Sequence, residues 1–491
     1  MSSLLGIDLG TSSVKVVVLA LDGSIRGIGS DEYPILIPSP GYAEQDPDQW
    51  WSATVSAVRE ALDRAGHPEI ASIGFSGQMH GFVPIGPDSA PVNPAIIWAD
   101  QRSAGLIPEI ESILGPDLKS CGTAPAAGFL ISSLFWFQKH QPALFDRAKT
   151  LLMPKDYVRL KITGEIGTDA SDASATGLFD VRNRLWSNDL IERLNLPRPI
   201  FPKINESTDP VGVVTKRAAA ELGIKSGIPV SVGSADQPAQ AVGNGLINPP
   251  LGSVTVGTGG QVFVPLREPI LDPKLRLHTF CHAPRQRWYL LGAMLSAGMA
   301  LRWFRSILGN DRFSYADLDR IANEVEPGSG GLTFLPYIVG ERSPIMDPRA
   351  RGGFVGLTLG HGPAHLARAL LEGVTFALRQ IIETMEECGA ALPKLVASGN
   401  GLGSRVWRQM LADIIQRPLF QGQDTHAAER AGVGAAMMGG IGAGIFKDYE
   451  EVRKLAPTFD VITAPAEDRA QQYEPAYRRY LDLYPRLKSW F

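Results

Sequence analysis

The first residues suited to chemistry lie near the start of the chain, in the stretch GIDLGTSSVK. Asp8 ends an apolar run and is followed at once by glycine and small hydroxyl residues, which is typical of a turn that receives phosphate oxygens. A carboxylate beside phosphate is repulsive unless a divalent cation lies between them, and magnesium binds one or two carboxylates together with water and phosphate oxygens. The stretch therefore predicts Asp8 as a Mg2+ anchor, although Asp8 could instead belong to an ordinary hairpin turn. The predicted phosphate contacts are Gly10, Thr11, Ser12 and Lys15.

A second acidic residue, Asp236, follows the apolar run at residues 228–232 and a Gly-Ser-Ala turn. Transfer of a phosphoryl group to a hydroxyl needs a carboxylate that accepts the hydroxyl proton over roughly 2.6–3.2 Å. Asp236 stands where the end of a strand would present it to a cleft, so we take it as the candidate general base. The structural alternative is that Asp236 caps the helix that follows it.

Two further stretches carry polar side chains suited to a polyhydroxylated ligand. Gln78 and His80 follow an apolar run and a glycine turn, and their side chains can hydrogen-bond neighbouring hydroxyls, while Met79 can pack on an apolar face of the ligand. Asp100 follows the apolar residues 96–97 and could orient a polyol. The alternatives are a structural histidine at position 80 and an exposed helix start at Asp100.

The elements that must position these residues alternate between short apolar runs and longer helical patterns, which predicts an α/β fold. A helix is expected between Asp46 and Gly66, with Asp46 as its cap and Pro47 in its first turn. Strands are expected over residues 14–21, 70–75, 228–237, 253–260 and 395–404, each ending in small residues. Ligands of such folds lie beyond the carboxyl ends of the strands, so these turns are predicted to face one cleft.

The stretch IDLGTSS resembles VTVGTGG, which lies about 250 residues later: in each, an apolar run ends in Gly-Thr followed by small residues. This similarity suggests that the chain contains two halves with equivalent phosphate turns. A length of 491 residues also favours two domains over one. Glycine, asparagine and proline cluster at residues 243–253, which marks the boundary. We therefore divide the chain into residues 1–245, residues 246–445 and a helical tail at 446–491, and expect residues 431–446 to form a close-packed buried helix.

Bulk composition excludes several classes of function. The net charge is −4 and no long run of one sign is present, so neither nucleic acid nor an anionic membrane is an expected partner. The first residues resemble no signal peptide, and no apolar stretch reaches the ~20 residues of a membrane-spanning helix. The three cysteines are scattered, which favours a reducing cytoplasm over a disulfide framework.

Taken jointly, the motifs resemble the FGGY family of carbohydrate kinases over nearly the whole chain, and within it the members that phosphorylate xylulose. GIDLGTSSVK is similar to the first phosphate motif of the sugar-kinase, Hsp70 and actin superfamily, and VGTGG to the second. LVASGNGLGSRVWRQMLAD is similar to the adenosine motif, and GGFVGLTLGHGPAHLARALLEGVTFALRQ to the long signature of the second domain. The resemblance implies two RNase H-like domains with a catalytic cleft between them.

The resemblance also implies roles for individual residues. Asp236 matches the catalytic base of the family, which also contacts the substrate. Asp8 matches the carboxylate near Mg2+, and Met79 with His80 matches the pair of residues that bind the sugar. Gln237 beside the base is assigned to the sugar, although relatives that phosphorylate xylulose usually carry asparagine there. The expected ATP contacts of the second half are Gly257, Thr258 and Gly259 in the phosphate turn, and Gly399, Asn400, Gly401 and Ser404 in the adenosine motif, where Asn400 replaces the usual glycine.

The implied reaction is ATP-dependent phosphorylation of a ketopentose, D-xylulose to D-xylulose 5-phosphate, by in-line transfer with Asp236 as base and Mg2+ as cofactor. D-Ribulose, L-xylulose, xylitol, erythritol and glycerol stay open as substrates. A different class also stays open, namely an ATPase of the actin or Hsp70 type that carries the same phosphate turns. ATP and a sugar are the expected partners, and a homodimer is an expectation at the level of the family.

Overall fold

The computed structural model describes residues 2–309, 312–392, 394–423 and 426–491. The first half of the chain builds a seven-stranded sheet in the order β5-β6-β4-β1-β2-β3, with β7 paired to β4. Its central strand β1 is antiparallel to β2 and parallel to β4. The strands are β1 (Ser3–Leu9), β2 (Ser13–Ala20), β3 (Ile25–Glu32), β4 (Ile70–Gly77), β5 (Pro210–Val213), β6 (Pro229–Ser231) and β7 (Ser234–Ala235).

The second half builds another seven-stranded sheet, in the order β10-β11-β9-β8-β12-β13-β14. Its strands are β8 (Leu251–Val256), β9 (Gly260–Leu266), β10 (His278–Cys281), β11 (Trp288–Met294), β12 (Lys394–Ser398), β13 (Leu419–Gly422) and β14 (Phe459–Thr463). Here β8 is antiparallel to β9 and parallel to β12, and β12 is parallel to β13. In the first sheet β1, β2, β4 and β6 are related in the same way. The predicted duplication and the predicted pair of RNase H-like domains are thereby confirmed.

Helices cover both sheets. Those used below are α1 (Pro47–Ala65), α2 (Leu130–His140), α3 (Pro154–Thr163), α4 (Asp236–Gly243), α5 (Gly298–Ile307), α6 (Pro363–Glu387), α7 (Arg405–Ile415), α8 (Arg430–Gly442) and α9 (Glu467–Leu487). Shorter helices span Ile107–Leu114, Pro142–Phe145, Ala170–Ser174, Asn188–Arg193, Lys216–Leu222, Tyr315–Asn323 and Tyr449–Arg453. Five two-stranded sheets join Glu44–Gln45 to Ala95–Ile96, Val83–Ile85 to Thr150–Leu152, Thr168–Asp169 to Ile204–Asn205, Phe179–Asp180 to Leu185–Trp186 and Thr333–Leu335 to Gly353–Val355. Within the described ranges, no helix is both long enough and apolar enough to cross a membrane.

Helix α1 shows how local sequence sets an element. The Asp46 side chain accepts a hydrogen bond from Asp48 N, and Pro47 occupies the first turn, where its missing N–H costs nothing. Gly66 ends the helix in the left-handed conformation with φ 72°. The predicted helix is thus confirmed with both of its ends. By contrast, the predicted strand over 228–237 is divided into β6 and β7, because Val232 N and Gly233 N donate to carbonyls of the 207–209 segment instead of a neighbouring strand.

Helix α8 is the buried helix expected at residues 431–446, but it packs away from the second sheet. Gly432 lies so close to Gly6 of β1 that a Cβ on Gly6 would stand 1.9 Å from the Gly432 carbonyl oxygen. A Cβ on Gly74 of β4 would stand equally close, 1.9 Å, to Ala435 O of the same helix. The chain therefore returns from the second sheet to cover the first. The division at residues 245 and 445 stays a prediction, and β14 shows that the 446–491 tail also holds an edge strand of the second sheet.

Candidate active site

The carboxyl ends of three parallel strands bring the predicted first-half residues together. Asp8 of β1 pairs in register with Ser76 of β4, and Gly77 at the end of β4 lies beside Ala235 of β7. Residues that follow these positions must therefore emerge at one edge of the sheet. Asp8, Gln78 and Asp236 share that edge, as the sequence predicts.

Asp8 is held from one side by a neutral donor. Ser76 Oγ donates to Asp8 Oδ1 over 2.7 Å, and Lys15 stands opposite Asp8 in the antiparallel register of β1 and β2. Burial raises the pKa of Asp8 above its usual value, while the Ser76 hydrogen bond and the Lys15 charge oppose that rise. The Asp8 carboxylate thus lies in an environment where a cation would be stabilising.

Asp236 is the first residue of α4, and Ala235 occupies the cap position, so the alternative that Asp236 caps this helix is not what the structure shows. Burial, together with the nearby charge of Asp8, raises the pKa of Asp236 to about 7, although backbone N–H groups at the helix start act in the opposite direction. Its Oδ1 atom is buried and has no hydrogen-bond partner among the described residues. A carboxyl with such a pKa and an unused oxygen can exchange a proton near neutral pH.

The turn between β1 and β2 is fixed by side chains from outside it. Tyr33 Oη donates to Gly10 O over 2.6 Å, and Gln45 Nε2 donates to Thr11 O over 2.6 Å. Trp98 Nε1 donates to Thr11 Oγ1 over 2.8 Å, and Ser12 is exposed at the tip. These bonds occupy Gly10 O, Thr11 O and the Thr11 hydroxyl, and Gly10 N donates to Ser13 O across the turn over 3.0 Å. The amine of Lys15 donates to Ala428 O over 3.2 Å, so its contact with phosphate stays a prediction.

His80 is held as a neutral acceptor. Its Nδ1 lies 2.9 Å from Ala175 O and must donate there, which leaves Nε2 unprotonated. Burial, with a contribution from the Arg342 charge, lowers the pKa of His80 to about 3. The imidazole stacks on Phe129 with centroids 3.9 Å apart, and the residue has φ 73°, an unusual backbone conformation that is common at functional sites.

Gln78 and Met79 lie in the interior beneath this surface. Gln78 Nε2 donates to Gln45 Oε1 over 2.8 Å and to Gly10 O over 3.3 Å, so it supports the phosphate turn. Met79 Sδ is 3.9 Å from the Tyr289 hydroxyl, which donates to it. Contact of either side chain with a sugar stays a prediction.

Asp100 is placed differently from the other predicted substrate contacts. It is fully buried rather than exposed, and its carboxylate accepts hydrogen bonds from Ala43 N over 2.7 Å and from Arg102 N and Nε over 2.9 and 2.8 Å. Arg102 in turn lies 3.7 Å from the centroid of the Tyr42 ring. Asp100 therefore holds the 42–45 segment against its neighbours, and the structure supplies no free acceptor that would favour its predicted role with a polyol.

The second phosphate turn joins β8 to β9 and abuts a helix start. Gly257 O accepts a hydrogen bond from Gly298 N over 2.9 Å, and Thr258 O accepts from Ala297 N over 3.0 Å. The Thr258 side chain is exposed, and a Cβ on Gly259 would stand 2.6 Å from Met294 O. The turn is thus fastened to the N-terminus of α5, the end of a helix that favours anions.

A cavity of 570 Å³ lies beside this turn, within the range of about 300–1,000 Å³ usual for small-molecule sites. Its walls come from α4 of the first half and from β8, β9 and the 396–403 segment of the second, and include Gly399 and Asn400. Gly401 and Ser404 are outside the lining of the cavity. Gly401 packs on Val256, and Ser404 Oγ accepts a hydrogen bond from Trp407 N at the start of α7. Gln237 also lines the cavity and accepts from Gln261 Nε2 over 3.0 Å, which places it on this side rather than beside His80.

Sequence reasoning missed several residues that build the site. Gln45 and Tyr33 fix the first turn, Phe129 supports His80, and Arg342 reaches Phe129 from the second half. Gln45 and Arg342 lie in the polar stretches YAEQD and GERSP, each flanked by small or apolar residues, and that setting is the signal that could have pointed to them. Nothing local marks Tyr33 or Phe129, since their roles arise only from distant contacts.

Comparison with known proteins assigns the class. Residues 3–243 match the N-terminal domain of the FGGY family of carbohydrate kinases, and residues 252–443 match the C-terminal domain of that family. The chain belongs to the FGGY family, and it is a carbohydrate kinase, which confirms the resemblance of its motifs. An ATPase of the actin or Hsp70 type is therefore set aside.

Individual relatives narrow the comparison. The chain is 36% identical over 492 residues to a xylulose kinase of Lactococcus lactis, which covers 99% of this chain and 97% of that protein. A crystal structure of a xylulose kinase from Rhodospirillum rubrum superposes with a TM-score of 0.92 at 30% identity, with 99% of each chain covered. A gluconokinase of Bacillus subtilis is 29% identical over 505 residues, which covers 100% of this chain and 97% of that protein.

Proposed function

We propose that this carbohydrate kinase transfers the γ-phosphoryl group of ATP to the terminal hydroxyl of a ketopentose, D-xylulose, giving D-xylulose 5-phosphate. The observation that carries the proposal is Asp236, whose buried Oδ1 has no partner in the described part of the chain and whose pKa is raised to about 7. A base is most effective when its pKa lies near the working pH. Such a carboxylate, between a phosphate turn and a neutral sugar-side histidine, suits the removal of a hydroxyl proton.

In the proposed reaction the substrate hydroxyl lies against Asp236, which accepts its proton as the oxygen attacks the γ-phosphorus in line. The proton passes to Asp236, the new O–P bond forms, and the bond to ADP breaks with its electron pair left on ADP. The turn after β1 and the turn after β8 face the phosphates from the two halves with backbone N–H donors. Transfer of this kind depends mainly on positioning and electrostatics, which these two turns supply.

The residues present fit a magnesium ion. Asp8 is a half-buried carboxylate whose pKa is raised by burial, beside the predicted phosphate turn. Among the residues that the structure describes, no group of three or more His, Cys, Asp or Glu side chains could hold a metal by itself. Magnesium in phosphoryl-transfer sites usually takes one or two carboxylates and completes its shell with water and phosphate oxygens, so Asp8 would hold it. When bound, the ion supplies positive charge to the phosphate oxygens.

The nucleotide is assigned to the 570 Å³ cavity that α4 lines from the first half and β8, β9 and the 396–403 segment line from the second. The phosphate chain would run from there to the turn at Gly257, where the start of α5 adds its favourable dipole. The backbone at Gly399 and the amide of Asn400 line the opposite end. This assignment leaves the surface around His80 and Phe129 for the sugar.

D-Xylulose is favoured because relatives that align over nearly the whole chain are xylulose kinases. A second candidate is an aldonate such as gluconate, since a gluconokinase also aligns along the full length. His80 is a neutral acceptor suited to a hydroxyl group, a property that both substrates satisfy.

A substrate panel tests the proposal. ADP release is measured with D-xylulose, D-ribulose, L-xylulose, xylitol, erythritol, glycerol and gluconate, and the position of the new phosphate is located by NMR. We expect D-xylulose to give the highest kcat/KM, by about tenfold or more over the other substrates, with the phosphate on C5. A higher value for another substrate would overturn the choice of sugar, and ADP release that no substrate accelerates would overturn the proposed reaction.

A further inference from the structure

One cation of the second half points toward the sugar side of the site. Arg342 belongs to the segment that we call the arginine loop, residues 340–347. The loop is closed by backbone bonds in both directions between Glu341 and Asp347, over 2.9 and 3.0 Å, and Ser343 N donates to Ala293 O over 2.9 Å. The loop is therefore rigid and attached to the end of β11.

Glu341 strengthens that attachment without neutralising the arginine. Its Oε1 accepts hydrogen bonds from Leu295 N over 2.9 Å and from Arg342 N over 2.7 Å. Its Oε2 is buried and has no hydrogen-bond partner among the described residues. The carboxyl of Glu341 is thus occupied with backbone N–H groups, and the neighbouring guanidinium projects elsewhere.

The guanidinium of Arg342 lies over the aromatic surface that supports His80. Its Cζ is 5.5 Å from the centroid of the Phe129 ring, and Phe129 carries His80 at a centroid distance of 3.9 Å. Arg342 is half-buried, and within the described ranges no hydrogen bond or ion pair holds its guanidinium. A half-buried guanidinium whose five N–H donors have no acceptor among the described residues is available to a ligand that carries oxygen acceptors.

Other shielded arginines of the chain behave differently. Four of them have a carboxylate within ion-pair distance, as expected of arginines that serve the fold. The pairs are Arg102 with Glu44 at 2.7 Å, Arg159 with Asp156 at 2.5 Å, Arg184 with Glu206 at 2.5 Å and Arg368 with Glu372 at 2.7 Å. Arg342 departs from this pattern at the one place where a substrate is expected.

Two imidazoles near Arg342 are neutral, and burial raises the pKa of the neighbouring Glu341 carboxyl to about 8. His80 and His278 both have pKa values lowered to about 3, chiefly by burial, with the Arg342 charge adding to the effect. His278 Nδ1 lies 2.8 Å from Thr123 Oγ1. Neither imidazole repels the guanidinium by carrying a charge, and neither forms a hydrogen bond to it.

We propose that Arg342 is a specificity-determining residue that donates hydrogen bonds to the end of the sugar opposite the phosphorylated hydroxyl, which in a ketopentose is the C1 hydroxyl and the C2 carbonyl. Asp236 follows the residue paired with Gly77, and His80 lies three residues beyond Gly77, so both emerge from the same edge of the sheet. With the reacting hydroxyl assigned to Asp236, the surface of His80 and Arg342 is assigned to the other end of the substrate. Two adjacent oxygens match the forked geometry of a guanidinium. This inference rests on the proposed function.

The test compares Arg342→Gln with Arg349→Gln, a matched control that removes the same charge from a side chain two residues outside the arginine loop with 72% exposure. Hydrogen bonds to a charged group contribute about 1.5–3 kcal/mol, so we expect the KM for D-xylulose to rise roughly 10- to 100-fold in Arg342→Gln. The KM for ATP and the affinity for ADP measured by calorimetry should stay within about threefold of wild type. Arg349→Gln should match wild type in all three.

A second measurement excludes a merely structural role. 1-Deoxy-D-xylulose lacks the C1 hydroxyl, and its KM relative to D-xylulose should be raised about tenfold in wild type but no more than about twofold in Arg342→Gln. Arg342→Lys, which keeps the charge but lacks the fork, should recover part of the affinity for D-xylulose.

Three outcomes would overturn this inference. The KM for D-xylulose could be unchanged in Arg342→Gln, or the KM values for D-xylulose and ATP could rise equally. The third outcome is the same KM penalty for 1-deoxy-D-xylulose in wild type and in Arg342→Gln. These outcomes are distinguishable from failure of the proposed function. If the proposed function fails, wild type itself does not phosphorylate D-xylulose.

Discussion

The two halves of the molecule carry the same strand plan but differ in charge at equivalent positions. In the first half, Asp8 of β1 accepts a hydrogen bond from Ser76 of β4 over 2.7 Å. In the second half, Thr255 of β8 stands at the matching position and its hydroxyl lies 2.6 Å from Ser398 Oγ of β12. The same cross-strand bond is thus built once with a carboxylate and once with a hydroxyl, so at this position the first half offers a charged ligand for a cation and the second half offers a neutral hydroxyl.

The residues that follow extend this difference. After Ser76 the chain continues with Gly77, Gln78, Met79 and His80, whereas after Ser398 it continues with Gly399, Asn400, Gly401 and Leu402. Large functional side chains occupy the first edge, while small residues at the second edge leave room for the cavity. Under the proposed function, the duplicated scaffold separates two tasks: chemistry in the first half and nucleotide binding in the second.

The largest expected effect comes from removing the base of the first half. Asp236→Asn keeps the shape of the side chain but cannot accept a proton, and general bases contribute roughly 10²–10⁴-fold. We expect kcat for ADP release with D-xylulose to fall by that factor. Asp189→Asn, at a side chain with 70% exposure, is the control and should leave kcat unchanged. More than about a tenth of the wild-type kcat in folded Asp236→Asn would show that Asp236 is not the base.

Asp8→Thr converts the first half to the pattern of the second. Threonine can keep the bond to Ser76 but cannot hold a cation, so we expect kcat to fall on the order of 10²-fold and the Mg2+ concentration for half-maximal rate to rise. Titration of activity with Mg2+ measures both. Thr255→Ser, which preserves the hydroxyl at the equivalent position, is the control, and an unchanged Mg2+ requirement in Asp8→Thr would contradict the role of Asp8.

A change in the second half should affect the nucleotide and leave the sugar alone. Gly399 has φ 85°, and a Cβ there would stand 2.4 Å from Val256 O. Gly399→Ala must therefore shift the wall of the cavity, and we expect the KM for ATP to rise roughly tenfold while that for D-xylulose changes little. Gly353→Ala, where nothing lies within 4 Å of the new Cβ and which is outside the lining of the cavity, is the control. Equal rises in both KM values would argue against the division of tasks.

The smallest expected effect concerns stability. The pKa of Asp236 is raised from 3.8 in the unfolded chain to about 7 in the folded protein. Between pH 3.8 and about pH 7 the folded state therefore holds a proton that the unfolded state has released. The free energy of unfolding falls as pH rises through that window. Asn cannot ionise and avoids this penalty. At pH 8 we expect the free energy of unfolding of Asp236→Asn to exceed that of wild type by roughly 1–3 kcal/mol, and its unfolding temperature to be higher. This gain in stability should shrink toward pH 5. A gain independent of pH would point to a cause other than ionisation.

Much of this arrangement could be predicted from the sequence, because strand ends and glycine turns are local features. The turn at Gly10, the capped helix α1 and Asp236 at the end of an apolar run all follow from residue types and spacing. The duplication was visible only as a short echo, and the equivalent strand pairings confirm it. The position of α8 was not predictable, since its small apolar residues indicate burial but not which sheet they cover.

Side-chain partners were also beyond the sequence. Asp100 looked suited to a polyol, but Arg102 and Ala43 N occupy its carboxylate. Gln237 stands next to the base in the chain, yet its side chain turns toward Gln261 across the cleft. Arg342 reaches Phe129 over more than 200 residues of chain, a contact that depends on how the two halves meet. Such contacts depend on tertiary packing, so they cannot be predicted from the spacing of residues along the sequence.

The central claim is that Asp236 of the first half acts in the chemical step and not in holding either substrate. Calorimetric titration of Asp236→Asn with ADP and with D-xylulose, beside a turnover assay of the same preparation, tests it most directly. We expect dissociation constants within about threefold of wild type for both ligands in a protein that has lost nearly all phosphoryl transfer. Loss of binding for either ligand in step with the loss of turnover, or turnover that survives, would contradict it.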